Sequence, residues 1–249
     1  MRIFYCLVFC AAFSAKALFA SDSAQFTILE TLNHDSSYFT QGLELSGDVM
    51  FESSGLYGQS RVRKYLTGND SALVESSLPE QYFAEGLTLL NDELFVLTWK
   101  EKTVFVYNTD DLTVKRKMNY EGEGWGLANN GTQLIMSNGS DTITFRDPST
   151  FEIENEIRVS SQQHSVQRIN ELEYAKGYIW ANIWLSSLII KINPITGNLA
   201  GVYDLADLVI EHASDDGRQV LNGIAYDVRE DAFWVTGKLW PKRYLMKFR

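Results

Sequence analysis

The stretch NELEYAKGYIWANIW, residues 170–184, sets an asparagine, two carboxylates and two tryptophans into a pattern of strand and turn. Similar groups recur elsewhere: Glu85 in YFAEGLTLL and Lys238 in FWVTGKLW, both beside aromatic residues. Glu85, Asn170 and Lys238 among indoles would form an apolar pocket with a few convergent polar groups, the usual make-up of a small-molecule site. Each residue also has a plainer reading. Tryptophans at regular positions can be packing, a carboxylate can accept backbone N–H bonds, and a lone lysine can be a solvated surface group. The carboxylates two apart, Glu121 with Glu123 and Glu171 with Glu173, raise glycoside hydrolysis as a minor alternative. A glycosidase, however, normally draws its acid and base from separate elements. His34, His164 and His212 are scattered, fall in expected loops and fit no short metal-ligand spacing. Serine-hydrolase, phosphate-loop and dinucleotide fingerprints are absent.

Whether those groups converge depends on the elements that carry them, and the chain shows a repeat. FTQGLEL, YFAEGLTLL, GEGWGLAN, INELEYAK and LNGIAYDV share a form in which a polar or aromatic residue and a small or acidic one lead into a short apolar strand. With Gly42, Gly86, Gly126, Glu171 and Gly223 as anchors, the spacings are 44, 40, 45 and 52. Each anchor is followed by a second β-rich run, such as ELFVLTW, and a third, such as TVFVYN. In four repeats a fourth strand is plausible, for instance VKRKMN or LAGVYDL. Short runs of Val, Ile, Tyr, Phe and Thr bounded by Gly, Asn and Asp are strand signals. Repeats of about 40 to 50 residues, each a four-stranded sheet, indicate propeller blades. The fifth repeat ends after three strands, and the orphan strand AQFTILETL at 24–32 is expected to complete it. The expected fold is an all-β five-bladed propeller closed by the N-terminal strand.

In such a ring the innermost strands surround a channel, and residues at their entrances converge. The anchors carry Gln41, Glu85, Trp125, Asn170 with Glu171, and Asn222; the second strands end in Trp99 and Lys100, Asn138, Trp184, and Lys238 with Trp240.

The first twenty residues, MRIFYCLVFCAAFSAKALFA, read as a cleavable secretory signal. Their apolar run is short of the roughly 20 residues needed to span a bilayer. Lipidation at Cys10 is set aside because bulky Phe9 precedes it. Residues 21–249 are then expected to form a single domain secreted across the inner membrane, in the periplasm for a Gram-negative source, with export to the outside as the alternative. Cys6 and Cys10 lie in the leader, so the remainder has no thiol chemistry and no disulfide. Without the leader, 20 basic residues face 32 acidic ones, a net charge of −12. That balance argues against nucleic acid and anionic lipid as partners. The one locally basic stretch, RVRK at 61–64, alternates like a strand's solvent face. No membrane association after cleavage is expected, and a monomer is assumed.

FTQGLEL, ESSGLYGQSRVRKY, FAEGLT, LTWKEKTVFVY, GEGWGL, INELEY, ANIW, NGIAYD and FWVTGKLWPKRY occur in order from about residue 36 to the end. Together they resemble the glutaminyl-peptide cyclotransferases of the plant and bacterial type. The resemblance implies a five-bladed propeller that converts N-terminal glutamine of peptides or proteins to pyroglutamate with release of ammonia, without metal or other cofactor. It maps the family's pocket onto Phe39, Gln41, Phe83, Glu85, Trp99, Trp125, Asn170, Trp184 and Lys238. Of these, Glu85, Lys238 and Asn170 are expected to be catalytic. Glu85 would carry the proton from the attacking amine to the leaving nitrogen. Lys238 and Asn170 would stabilise the oxyanion. Gln41 would read the carboxamide or the first peptide carbonyl, and the aromatic residues would exclude water and fold the glutamine chain. Glu171 and Glu173 are expected as hydrogen-bond acceptors in the channel or a loop, and Trp180 as core. Two positions depart from the family pattern. Asn138 stands where an acid is expected, bearing on a hydrogen bond or ion site near the channel, and Leu185 replaces a polar residue at the pocket rim. A non-catalytic periplasmic propeller that binds peptides or sugars is the alternative reading.

Overall fold

The computed structural model describes residues 26–215 and 217–249. The expected leader lies outside them. Strand β1 (Phe26–Asn33) is followed by β2 (Thr40–Ser46), β3 (Val49–Ser54), β4 (Arg61–Leu66) and β5 (Asn69–Ser77), the last four forming one antiparallel sheet. The second sheet comprises β6 (Ala84–Leu90), β7 (Glu93–Thr98), β8 (Thr103–Asn108) and β9 (Val114–Asn119). The third comprises β10 (Leu127–Asn129), β11 (Leu134–Ser137), β12 (Thr142–Arg146) and β13 (Ile153–Arg158). A small hairpin, β14 (Ser160–Ser161) with β15 (His164–Ser165), leads into the fourth: β16 (Ile169–Ala175), β17 (Tyr178–Ile183), β18 (Leu188–Ile192) and β19 (Leu199–Asp204). After helix α1 (Ala206–Glu211) the chain closes with β20 (Leu221–Asp227), β21 (Ala232–Gly237) and β22 (Lys242–Phe248). Strand β1 completes this last sheet, pairing antiparallel with β22 from Phe26 opposite Phe248 to Asn33 opposite Lys242. The five-bladed ring and its closure are as expected from the repeat. The hairpin and the helix were not anticipated, and both occupy spacings longer than the 40-residue one.

Five apolar layers hold the blades together, one between each neighbouring pair. Trp180 stacks in the layer between the fourth and fifth blades, against Tyr203 and Phe248 at 5.4 Å each, and is core as expected. At the channel the inner strands touch backbone to backbone, which explains the anchor glycines Gly42, Gly86 and Gly126. The Gly86 N–H donates to the Trp125 carbonyl at 2.7 Å, and a Cβ on Gly126 would collide with the Asn170 carbonyl oxygen. Because that obstacle is main chain, it cannot swing aside. Gly126→Ala is expected to destabilise the protein by about 1–3 kcal/mol, read as a fall in thermal midpoint; an unchanged midpoint would remove the close-approach explanation. In the fourth blade the anchor is Glu171 instead. Its carboxylate reaches across the channel to accept the N–H groups of Ile224 at 2.9 Å and Leu43 at 3.3 Å. Glu173 likewise accepts from Tyr226 N–H at 2.9 Å.

Two sequence expectations change. RVRK does not present a uniform solvent face: Arg63 is 1% exposed. Blades cover one another's faces, so polar residues alternating along a strand can point into an interface rather than into water. Arg63 lies over the Tyr38 ring at 3.7 Å, donates to Glu52 at 2.7 and 3.0 Å, and to Asp70 at 3.1 Å. Glu52 also accepts from Thr40 at 2.6 Å and pairs with His34 at 2.9 Å, while Arg243 of the fifth blade reaches Asp70 at 3.0 Å. An ionic network thus joins the first blade to the last. Nor are the histidines all in loops. His34 follows β1 and is buried in this network, His164 lies on β15, and His212 follows α1, sharing a 2.6 Å hydrogen bond with Tyr244.

Candidate active site

All nine pocket residues expected from the resemblance line one cavity of about 200 Å³. Every blade contributes. Phe39 and Gln41 come from the start of β2, and Phe83 and Glu85 from the start of β6; Trp99 follows β7, and Trp125 precedes β10. Asn170 is on β16, Trp184 follows β17, and Lys238 follows β21. Aromatic edges build the wall: Phe39 to Phe83 at 6.3 Å, Phe83 to Trp99 at 5.6 Å, and Trp125 to Trp184 at 5.4 Å. Trp184 is 36% exposed and forms the rim with Leu185 beside it.

The polar groups sit deeper. Glu85 is 5% exposed; its Oε1 accepts the Gln41 side-chain N–H at 3.0 Å, and its carbonyl accepts the Ser53 hydroxyl at 2.5 Å. Burial raises the Glu85 carboxyl well above the usual carboxylate range; Lys238 opposes this, and the charges of Glu123 and Glu101 add to it. Lys238, also buried, packs over the Phe39 ring at 4.6 Å. Burial brings its ammonium down to about 8, against the pull of Glu85. Asn170 donates one amide N–H to Asn222 at 2.8 Å, and Asn222 in turn donates to the Thr40 carbonyl at 2.9 Å. The carboxamide of Asn170 is thereby oriented from below the cavity.

Other entrance residues proposed from the repeat do not line it. Trp240 is buried against His212 at 4.4 Å, and Lys100 packs outside on Trp99 at 3.7 Å. Asn138 closes a turn by accepting the Ser140 N–H and hydroxyl, at 3.1 and 2.6 Å, and is exposed. The turn supports the pocket indirectly, since a Cβ on Gly139 would lie 2.7 Å from the Trp125 ring. The carboxylate pairs do not make a glycosidase site. Glu121 is exposed and bonds Lys102 at 2.6 Å, Glu171 and Glu173 bind backbone, and Glu85 is the cavity's one carboxylate.

Sequence reasoning missed the groups around the wall. Glu123 accepts the indole N–H of both Trp99 and Trp125, and Glu101 accepts the Phe83 backbone N–H at 3.2 Å and the Tyr57 hydroxyl at 2.8 Å. Only the proximity of Glu123 to Trp125 in GEGWGL hinted at this.

One buried carboxylate, one buried lysine and an oriented carboxamide lie at the mouth of a five-bladed ring, a propeller whose pocket holds groups able to exchange protons. Residues 3–248 match the family described as glutamine cyclotransferase, and the chain belongs to that family. It is 38% identical over 229 residues to the glutaminyl-peptide cyclotransferase of Arabidopsis thaliana, covering 90% of this chain and 72% of that protein. It superposes on the crystal structure of Myxococcus xanthus glutaminyl cyclase with a TM-score of 0.83 at 34% identity, over 90% of this chain and 96% of the other. The WD40 propeller domain of Doa1, at 10% identity and a TM-score of 0.50 over 82% of this chain and 62% of that one, shares the fold alone.

Proposed function

We propose that this enzyme cyclises the N-terminal glutamine of peptides or proteins to pyroglutamate, releasing ammonia, with Glu85 as the proton carrier. The observation that carries the reading is Glu85 itself, a single carboxylate buried in an indole-lined cavity and pushed above its ordinary range. A peptide α-amine titrates near 7.7–8.0 as a rough guide, so raising Glu85 narrows the gap between the two groups and eases the proton transfer. The freed amine attacks the side-chain carboxamide carbon and the C–N bond of the ring forms. Glu85 then delivers its proton to the departing nitrogen, which leaves as ammonia, and recovers one from the ring nitrogen. That last proton passes from Glu85 to the released ammonia, so the ammonium form of the substrate gives the lactam and ammonium, and the Glu85 carboxylate is restored.

Lys238 and Asn170 donate toward the oxygen that becomes negative when the carbonyl is attacked, preorganised stabilisation that commonly dominates acyl chemistry. Gln41, tied to Glu85, reads the substrate carboxamide or first carbonyl. Phe39, Phe83, Trp99, Trp125 and Trp184 fold the flexible chain for ring closure, and orientation of this kind contributes several kcal/mol, up to about 7–11 in favourable cases. The cavity's side chains include one carboxylate and no His or Cys, and among the described residues no group of three or more such ligands is placed to hold a metal. The donor set therefore supports a metal-independent reaction. The same reading takes residues 1–20 as a removed leader and 21–249 as one catalytic domain acting as a monomer in the periplasm. Among the described residues no helix is long and apolar enough to cross a membrane.

The test is ammonia release from a Gln-initiated dipeptide amide, with and without excess chelator. Turnover equal in both is expected. Absence of turnover in folded protein would favour a binding propeller, and loss of turnover on chelation would end the metal-independent scheme.

A further inference from the structure

Glu123 lines no part of the cavity, yet it is bonded to two of its walls. A single oxygen, Oε2, accepts the indole N–H of Trp99 at 2.8 Å and of Trp125 at 3.1 Å. Trp99 directly follows the second blade's β7 and Trp125 opens the third blade, so one atom bridges the blade boundary. The loop that presents it is itself held. Gly122 adopts a φ of +87°, a left-handed conformation suited to glycine. At Gly124 a Cβ would collide with the Tyr120 hydroxyl, which donates to the Thr98 carbonyl. Gly124 N–H donates to the Trp99 carbonyl at 2.9 Å, and Trp125 N–H to the Ser137 carbonyl at 3.1 Å. The backbones of both blades thus set where the carboxylate sits. Lys100 lies over the Trp99 ring and Gly139 abuts the Trp125 ring, and the indoles' ring–ring contacts, to Phe83 and Trp184, are edge-on. Such contacts leave side-chain rotation soft, whereas a hydrogen bond to a charged acceptor is roughly twice as strong as a neutral one.

We propose that Glu123 is a positioning residue of this reaction, whose carboxylate locks the Trp99 and Trp125 indoles as two walls of the glutamine pocket. This rests on the cyclisation reading of the site. Its charge has a second effect, since it stands among the influences on Glu85, behind burial and the opposing Lys238, and favours the proton-carrying form.

Two variants separate the roles. Glu123→Ala removes the acceptor from a half-buried loop position and is expected to lower kcat/KM by about 10- to 100-fold, the scale of a small misplacement in an oriented site. It should also alter the near-ultraviolet circular dichroism of the tryptophans while the far-ultraviolet spectrum stays unchanged. Glu123→Gln keeps an amide oxygen with two acceptor sites. It is expected to restore the tryptophan spectrum and most of the activity, with the acid limb of the pH profile moved to lower pH because a like charge near Glu85 is gone. Should the alanine variant not fold, Glu123→Ser, too short to reach both indoles, serves in its place. Wild-type kinetics and an unchanged near-ultraviolet spectrum in Glu123→Ala would overturn the proposal, as would a glutamine variant as impaired as the alanine one. If the wild-type protein releases no ammonia, the cyclisation reading fails, and the spectra alone then decide whether Glu123 orders the indoles.

Discussion

Glu85→Gln is expected to lower kcat by about 10²- to 10⁴-fold, the range contributed by a positioned general acid–base, with KM little changed. The substitution is nearly isosteric, and an amide can still meet Gln41, so the pocket keeps its shape. What it loses is the ability to take a proton from one nitrogen and give it to another. On the proposed mechanism the productive complex holds one proton shared between Glu85 and the substrate amine. Below the working range both are protonated and the amine cannot attack. Above it, Lys238, brought down to about 8 by burial, loses its charge and with it the stabilisation of the oxyanion. A bell-shaped profile follows, with its alkaline limb set by Lys238, the substrate amine and Glu85 together. Single-turnover kinetics across pH provide the check; near-normal turnover in a correctly folded Glu85→Gln protein would show that another group moves the proton.

The largest effect on stability is expected at Glu52, far from the chemistry. Glu52→Ala should cost about 3–5 kcal/mol, the usual penalty for removing one partner of a buried ion pair. In a domain of this size that corresponds to a fall in melting temperature of roughly 6–20 °C. Glu52 is the shared acceptor of His34, Thr40 and Arg63, so its removal takes the nearest carboxylate from two buried cations, with Arg63 keeping Asp70. His34 must be one of them. Its Nε2 faces Glu52 at 2.9 Å and its Nδ1 faces the Trp240 carbonyl at 2.7 Å, so both nitrogens need protons. Burial alone would lower the His34 imidazolium, but Glu52, with help from the Trp240 carbonyl, more than offsets this and raises it. Burial would likewise raise Glu52, yet His34 and Arg63 hold it well below the carboxylate range.

The signs give opposite pH dependences. The depressed Glu52 contributes stability that is present above about pH 4.3 and lost as pH falls through its lower folded value. The raised His34 contributes stability present below about pH 6.5 and lost as pH rises through its higher folded value. Melting temperatures of wild type and Glu52→Ala measured against pH should therefore differ most between those limits. Equal melting temperatures at pH 5.5 would mean that the network does not hold the ring closed.

Several features are legible in the sequence itself. Short β-branched and aromatic runs bounded by turn residues define the strands, and the anchors at 42, 86, 126, 171 and 223 count the blades. The composition of LNGIAYD or TVFVYN is enough for this, because strand formation and turns depend on neighbours along the chain. The nine pocket residues were legible as well, though through the resemblance of their motifs rather than through spacing. Gly126 shows where pattern and packing coincide: the repeat marks it, and the close approach of Asn170 accounts for it.

Other features were decided only when the blades met. Arg63 reads as an exposed strand residue but is buried, because a neighbouring blade, not water, covers that face. Glu123 lies two residues from Trp125 in the chain but 24 from Trp99, and nothing local reports that both indoles turn to the same oxygen. His34 finds its partners at Glu52 and, 206 residues away, at Trp240. Helix α1 and the β14–β15 hairpin left little more than spacing behind them. Local sequence alone determined the strands, the number of blades and the closing strand, since those follow from propensity and period. Burial, charge state and the shape of the pocket were decided by the tertiary structure, because each depends on which distant surfaces exclude water from a side chain and which partners they bring to it.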